Sequence, residues 1–409
     1  MGSIHPHVAI QPAYGTVHIF KFQFANTAEL ELAARNIYLR PALSRSNPAT
    51  KWPCFSGLSL LAVTTMLHRT ISVKTWSFNL AIIVDNHEKR AISMRNPSST
   101  INRMSKWRAL QQPALYLPPS TKLKQFTEFG SNPGALQSYV YIPSTLLPKA
   151  PLVVVLHGCM QTADDYDQGS GWSDHAEKHG FAILYPEQTR SNNPNTCFNW
   201  FKPTDSRRGD GEPESIIQMI TSMITAHDLD PHAVYVTGLS AGGAMTSILL
   251  AQYPDVFAGG AIIAGLPFGA AANVPEAFAA MNGAGRQTSS AIKVDSRIFY
   301  QSGWPTLSVW HGEEDDIVNP SNSDAIIGQW LAARGLSQDS VKNSTANGFS
   351  RRYWVDTDGQ EFLESWRIPG MGHGTPRDGD DAGNSGPYML DAGISSTRHI
   401  AKFWYKERA

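Results

Sequence analysis

A serine between glycines carries the sharpest chemistry in this chain of 409 residues: Gly238-Leu239-Ser240-Ala241-Gly242-Gly243. The segment follows the apolar run Ala233–Thr237 (AVYVT) and opens a helical pattern from Ala241 to Tyr253. In a strand-to-helix turn, Gly-x-Ser-x-Gly lifts the serine hydroxyl off the sheet, and the glycines leave room for a strained backbone. The helix N-terminus then places the Ala241 N–H where an oxyanion would develop. A hydroxyl alone is a poor nucleophile, so a base and an acid to orient it are expected downstream. Asp315 is the expected acid, within His311-Gly312-Glu313-Glu314-Asp315-Asp316-Ile317-Val318 just past the apolar run Leu307–Trp310. Asp316 is its rival; Glu313 and Glu314 read as solvated loop charges, and His311 as a structural support for the acid loop. His373 is the expected base, in Gly370-Met371-Gly372-His373-Gly374 after Glu364–Ile368. Among 13 histidines it alone combines chain order, a loop position and small neighbours. Ser240 would attack an ester carbonyl, His373 would take its proton, and Asp315 would fix the imidazole tautomer. A second oxyanion donor is expected in His157-Gly158-Cys159-Met160-Gln161, at the backbone N–H of Cys159 or Met160, with Cys159 favoured.

The elements that must hold these residues alternate. Gln137–Ile142 alternates as a strand, and Leu152–Leu156 (LVVVL) is a continuous apolar run of the buried parallel type. Phe181–Tyr185 (FAILY) and AVYVT repeat that texture, and Ala258–Ala264 and Leu307–Trp310 continue it. Between them, Glu214–Ala226 has helical spacing through Ile216, Ile217, Ile220, Met223 and Ile224, and a last helix is expected over Thr397–Tyr405. Strand and helix alternating without repeats predict one α/β domain with a doubly wound, mostly parallel sheet over residues 116–409.

Composition fits an enzyme of this type. Lys plus Arg total 34 and Asp plus Glu 35, a formal charge of −1, which gives no electrostatic basis for binding nucleic acid or an anionic membrane. With 42% hydrophobic residues a sizeable core is available, and three cysteines allow one bridge at most. No nucleotide loop, cofactor fingerprint or metal-ligand motif is present, so no cofactor and no metal are expected. The run Asp378-Gly379-Asp380-Asp381 reads as a solvated loop. Residues 1–115 read as a poorly structured extension without sustained periodicity. It is acid-poor between Glu31 and Asp85, and its longest apolar run, Phe55–Leu67, is too short to span a bilayer. An upstream-placed start, with Met94 or Met104 as the true one, is the leading account of it; a secretory or organelle-targeting segment is the alternative.

At the chemistry-bearing residues the chain resembles the polyhydroxybutyrate depolymerase-like esterases, α/β-hydrolases related to feruloyl and acetylxylan esterases. The resemblance rests on LVVVLHGCMQTADDY (152–166), CFNWF (197–201), VTGLSAGGAMTSILLAQYPDVFA (236–258), WHGEEDDIVNP (310–320), GMGHG (370–374) and GPYMLDAGISSTRHIAKFW (386–404). It implies an α/β-hydrolase fold and Ser240, Asp315 and His373 as a triad. It also implies a disulfide between Cys159 and Cys197, against an alternative of two reduced thiols, with Cys54 left over. Trp200, Phe198, Phe201 and Trp304 are candidate apolar walls for the acyl group, against a plain core role. The implied substrate is a 3-hydroxybutyrate polyester or its oligomers, with plant cell-wall esters as the alternative. Because the chain closes just after the last helix, soluble oligomers, amorphous polymer or small esters are expected over crystalline solid. The resemblance implies an extracellular or periplasmic protein, while the lack of a clear signal at residue 1 points to the cytoplasm.

Overall fold

The computed structural model describes strands at 16–24 and 76–84 together with residues 122–284, 304–346, 348–379 and 386–405. Cys54, Phe55–Leu67, Met94, Met104, Asp380 and Asp381 lie outside the described residues. The chain divides into two units, Met1–Trp107 and Arg108–Ala409, beside the boundary expected after residue 115. In the first, β1 (Thr16–Phe24) and β2 (Trp76–Val84) pair antiparallel, with Thr16 opposite Val84 and Phe24 opposite Trp76.

The second unit opens with β3 (Lys124–Gln125), β4 (Gln137–Tyr141) and β5 (Leu152–Leu156). Then come α1 (Ala163–Ser170), α2 (Trp172–His179), β6 (Ala182–Glu187), α3 (Gly211–His227), β7 (Val234–Leu239), α4 (Ala241–Gln252) and β8 (Gly259–Ile263). After α5 (Val274–Met281) follow β9 (Thr306–Gly312), α6 (Ser321–Ala333), β10 (Lys342–Ala346), β11 (Phe349–Val355) and β12 (Glu361–Ile368). The described chain ends with β13 (Thr375–Arg377), β14 (Met389–Asp391) and α7 (Ser396–Tyr405).

Ten strands form one sheet in the order β10-β11-β12-β9-β8-β7-β5-β6-β4-β3. The six from β12 to β6 run parallel, and antiparallel strands extend both edges. This is the doubly wound, mostly parallel sheet that the alternating elements predict. Leu152 to Leu156 are all buried, as a parallel strand covered by helices on both faces requires. The core divides into two apolar layers, one on each face of the sheet. Helix α4 is buried at every position from Ala241 to Ala251, so it has no polar stripe and runs through the interior. On the opposite face, Trp310 stacks on Trp366 with centroids 4.8 Å apart.

The chain runs from β5 outward to β6, then returns past β5 to β7 on its other side. That reversal is a topological switch point, and the crevice outside the carboxyl ends of β5 and β7 is where an open α/β sheet binds its ligand. Ser240 directly follows β7, and the turn His157–Gln161 directly follows β5.

Candidate active site

Ser240 sits in the turn between β7 and α4 at φ 57°, ψ −113°, a conformation costly for a residue with a Cβ. Its N–H donates to the Ile263 carbonyl at 2.9 Å, and its carbonyl accepts from Ala244, which pins the turn to β8 on one side and to α4 on the other. Two glycines make the turn possible. A Cβ on Gly238 would lie 2.5 Å from the Gly242 carbonyl carbon, and one on Gly242 would lie 2.6 Å from the His157 carbonyl oxygen. The close approach of α4 to β5 therefore depends on bare backbone at both positions.

Asp315 follows β9 and is almost fully buried. Its Oδ1 accepts from the N–H groups of Ile317 (3.0 Å) and Val318 (2.8 Å). Its Oδ2 accepts from His373 Nδ1 at 2.7 Å and lies 3.2 Å from His311 Nε2. Burial by itself would raise the Asp315 carboxyl, but the hydrogen bonds and charges of His311 and His373 outweigh it and hold the group well below the usual carboxylate range. An ionised carboxylate only accepts, so His373 Nδ1 carries the proton and Nε2 is left as the basic nitrogen. The Tyr388 ring stands edge-on to the imidazole, 5.9 Å away at 82°. Acid and base loops are tied together: Glu313 N–H donates to Ile368, and Glu314 N–H to Met371, each at 3.0 Å. Ser240 is placed on the same rim of the sheet, with no direct hydrogen bond to His373.

The turn after β5 is held from several directions. His157 Nε2 accepts from Gln188 N–H at 3.1 Å, so its Nδ1–H donates to the Gly158 carbonyl at 2.7 Å. Burial lowers the His157 pKa to about 4, which keeps the ring neutral. Gly158 N–H donates to Gln161 Oε1. Of the two N–H groups expected as oxyanion donors, that of Met160 is taken by the Asn195 carbonyl at 2.8 Å, which leaves Cys159. Cys159 and Cys197 are joined by a disulfide, with Cα atoms 4.2 Å apart.

The aromatic expectations divide. Trp200 packs edge-on against Phe201 beside that disulfide, on the loop after β6. Phe198 is fully buried against His157, with centroids 5.1 Å apart, so it supports the turn instead of lining a pocket. Trp304 is a correction. It precedes β9, at the end of the sheet opposite Ser240, and packs on Trp330 of α6. The five strand residues Thr306–Trp310 alone separate it from the far side of Trp310 by about 16 Å. A wall of the acyl site cannot be there. Asp378 pairs with Arg398 at 2.6 Å.

Sequence reasoning missed Glu212, which is completely buried in the first turn of α3. Burial, reinforced by neighbouring Asp205, pushes its carboxyl up to about 8. Its residue type before a helix reads as an ordinary solvated first-turn acid. Only the quoted CFNWF stretch, which holds its partner Asn199, gave a sign that this region mattered.

Residues 136–350 match the family model described as esterase PHB depolymerase. The chain belongs to this family. It is 42% identical over 290 residues to the poly(3-hydroxyalkanoate) depolymerase C of Paucimonas lemoignei, covering 69% of this chain and 70% of that one. Feruloyl esterase B of Talaromyces stipitatus is 31% identical over 273 residues, 63% of this chain and 74% of its own. Among solved structures, the acetyl xylan esterase from Aspergillus awamori superposes with a TM-score of 0.54 at 26% identity, over 61% of this chain and 93% of that chain. The chain is thus an α/β-hydrolase and a carboxylic-ester hydrolase of the PHB depolymerase type. Among the described residues no helix is long and apolar enough to cross a membrane.

Proposed function

We propose that Ser240, His373 and Asp315 hydrolyse a 3-hydroxyalkanoate polyester or its oligomers through an acyl-enzyme. The observation that carries the reading is the Asp315–His373 hydrogen bond of 2.7 Å on the rim where Ser240 occupies its strained turn. Ser240 Oγ attacks the ester carbonyl carbon while His373 Nε2 takes the hydroxyl proton. The carbonyl oxygen becomes an oxyanion facing the N–H groups of Ala241 and Cys159. Collapse breaks the bond to the alcohol, which leaves with the proton from His373. Water then attacks the acyl-enzyme, gives its proton to the same nitrogen and releases the acid, and the proton returns to Ser240. Asp315 stays ionised throughout and stabilises the imidazolium. Trp200 is the apolar wall we assign to the acyl side.

The polyester reading leans on the 42% identity to the Paucimonas enzyme, above the 31% to the feruloyl esterase. Side-by-side turnover of 3-hydroxybutyrate trimer and methyl ferulate tests it. A kcat/KM at least tenfold higher on the trimer is expected, and the reverse preference would assign the chain to plant cell-wall esters. Export to an oxidising compartment fits the Cys159–Cys197 bridge. Thiol titration of natively produced protein under denaturing conditions checks this: one free thiol is expected, and three would refute it.

A further inference from the structure

Behind the disulfide lies a buried carboxyl that the reaction does not use. Glu212 Oε1 accepts from Gln188 Nε2 (2.6 Å), Asn199 Nδ2 (2.6 Å) and Asn192 Nδ2 (3.2 Å). Its Oε2 accepts from the Asn199 backbone N–H at 2.7 Å. Every one of these donors belongs to the single loop between β6 and α3, and the acceptor belongs to α3. Among the described residues no cation neutralises it, since the pairs formed by lysine and arginine involve other acids. Burying an acid without a cation is expensive, and such a group persists where its hydrogen bonds hold something in place.

The same loop grips the turn after β5. Gln188 N–H donates to His157 Nε2, Gln188 Nε2 also reaches the Cys197 carbonyl at 3.1 Å, and the Asn195 carbonyl accepts from Met160. Thr196 Oγ1 donates to the Gln161 carbonyl at 3.4 Å, and Cys197 is bonded to Cys159 itself. A continuous path therefore leads from α3 through Glu212 to the loop, and from the loop to the backbone of Cys159. The ionisable groups facing Glu212 from neighbouring elements are Asp205 of the 3-10 turn Pro203–Ser206, whose Oδ1 accepts the Glu212 N–H, and neutral His157 behind Gln188.

We infer that Glu212 is a positioning residue: it anchors the β6–α3 loop to α3 and so fixes the Cys159 N–H that receives the oxyanion. The inference rests on the oxyanion role proposed above for Cys159. A misplaced oxyanion donor weakens only the transition state, so it lowers kcat and leaves KM nearly unchanged. The loss is also uniform across acyl chains, whereas a displaced Trp200 would penalise long acyl groups through KM.

The experiment compares wild type with Glu212→Gln on p-nitrophenyl acetate and p-nitrophenyl butyrate at pH 9, with circular dichroism to check folding. The side-chain amide of glutamine turns an acceptor oxygen into a donor facing N–H groups. A kcat loss of at least tenfold, equal on both esters and with KM within twofold, is expected. A folded variant with wild-type kcat, or with its loss confined to KM, overturns the inference. If Glu212→Gln does not fold, Asn192→Ala decides, since it removes the longest of the four contacts together with the Asn192 Nδ2 bonds to the Gly134 carbonyl and Gln188 Oε1 that tie the same loop: a two- to fivefold kcat loss with KM unchanged supports the anchor and unchanged kcat refutes it. Labelling wild type with diethyl p-nitrophenyl phosphate separates the two layers. No adduct on Ser240 overturns the active-site reading and this inference together; an adduct on Ser240 with unaltered Glu212→Gln kinetics overturns this inference alone.

Discussion

Asp315 receives donors from Ile317, Val318, His311 and His373, and two of these are imidazoles. Substituting Asp315→Asn keeps the shape but turns one oxygen into a donor, which favours the wrong His373 tautomer. A kcat loss on the order of 10⁴-fold is expected with p-nitrophenyl butyrate. The depressed Asp315 pKa also shapes stability. A carboxyl that is more acidic folded than unfolded stabilises the fold above its unfolded value of about 4, and that contribution is lost as pH falls from there towards its folded value. The gap between the thermal melts of wild type and Asp315→Asn should therefore be constant above about pH 5 and narrow steadily as pH falls below about 4. A gap that stays the same as pH falls below about 4 would contradict the assignment. At this scale residue type, spacing and flanking run singled out Ser240, Asp315 and His373 in the sequence, and the structure pairs Asp315 with His373 and holds Ser240 in a strained turn. The sequence was silent on Glu212 because burial is a property of the fold, and Trp304 was offered as a wall by residue type alone, although a residue preceding a parallel strand lies at its amino end, away from the crevice.

Elements bring the acid and base together at the ends of β9 and β12, which run parallel with Ile368 beside Gly312. A Cβ on Gly312 would press on the carbonyl oxygens of Met371 and Gly372, in the loop that presents His373. Gly312→Ala should displace that loop, lowering kcat by at least tenfold and stability by about 1–3 kcal/mol, read by kinetics and denaturant unfolding. The disulfide acts at the same level. It closes a sequence separation of 38 residues, so loop-closure entropy alone gives about 4 kcal/mol. Replacing both cysteines by serine should lower the melting temperature and reduce kcat more than it raises KM. The parallel core strands were legible as unbroken apolar runs. The short helices α1 and α2 were not, because eight residues give too few turns for a period to emerge. In β1 the alternation slips by one residue, with Val17 and Ile19 in one phase and Phe20, Phe22 and Phe24 in the other, so it holds only over short pieces.

For the whole molecule, the switch point of the sheet explains why residues from β5, β7, β9 and β12 meet on one rim although up to 214 positions separate Cys159 from His373 (373 − 159). Every group in the proposed reaction lies within Arg108–Ala409. A chain starting at Arg108 should therefore keep ester hydrolysis within about threefold of the full chain, measured on p-nitrophenyl butyrate. Loss of activity in a folded truncation would give the first unit a part in the reaction. The central claim, that Ser240 is the nucleophile of an ester hydrolase, is tested most directly by p-nitrophenyl butyrate turnover in Ser240→Ala. Folded variant protein should lose at least about 10⁴-fold in kcat, leaving only what transition-state binding without a nucleophile supplies; turnover equal to wild type would contradict the account.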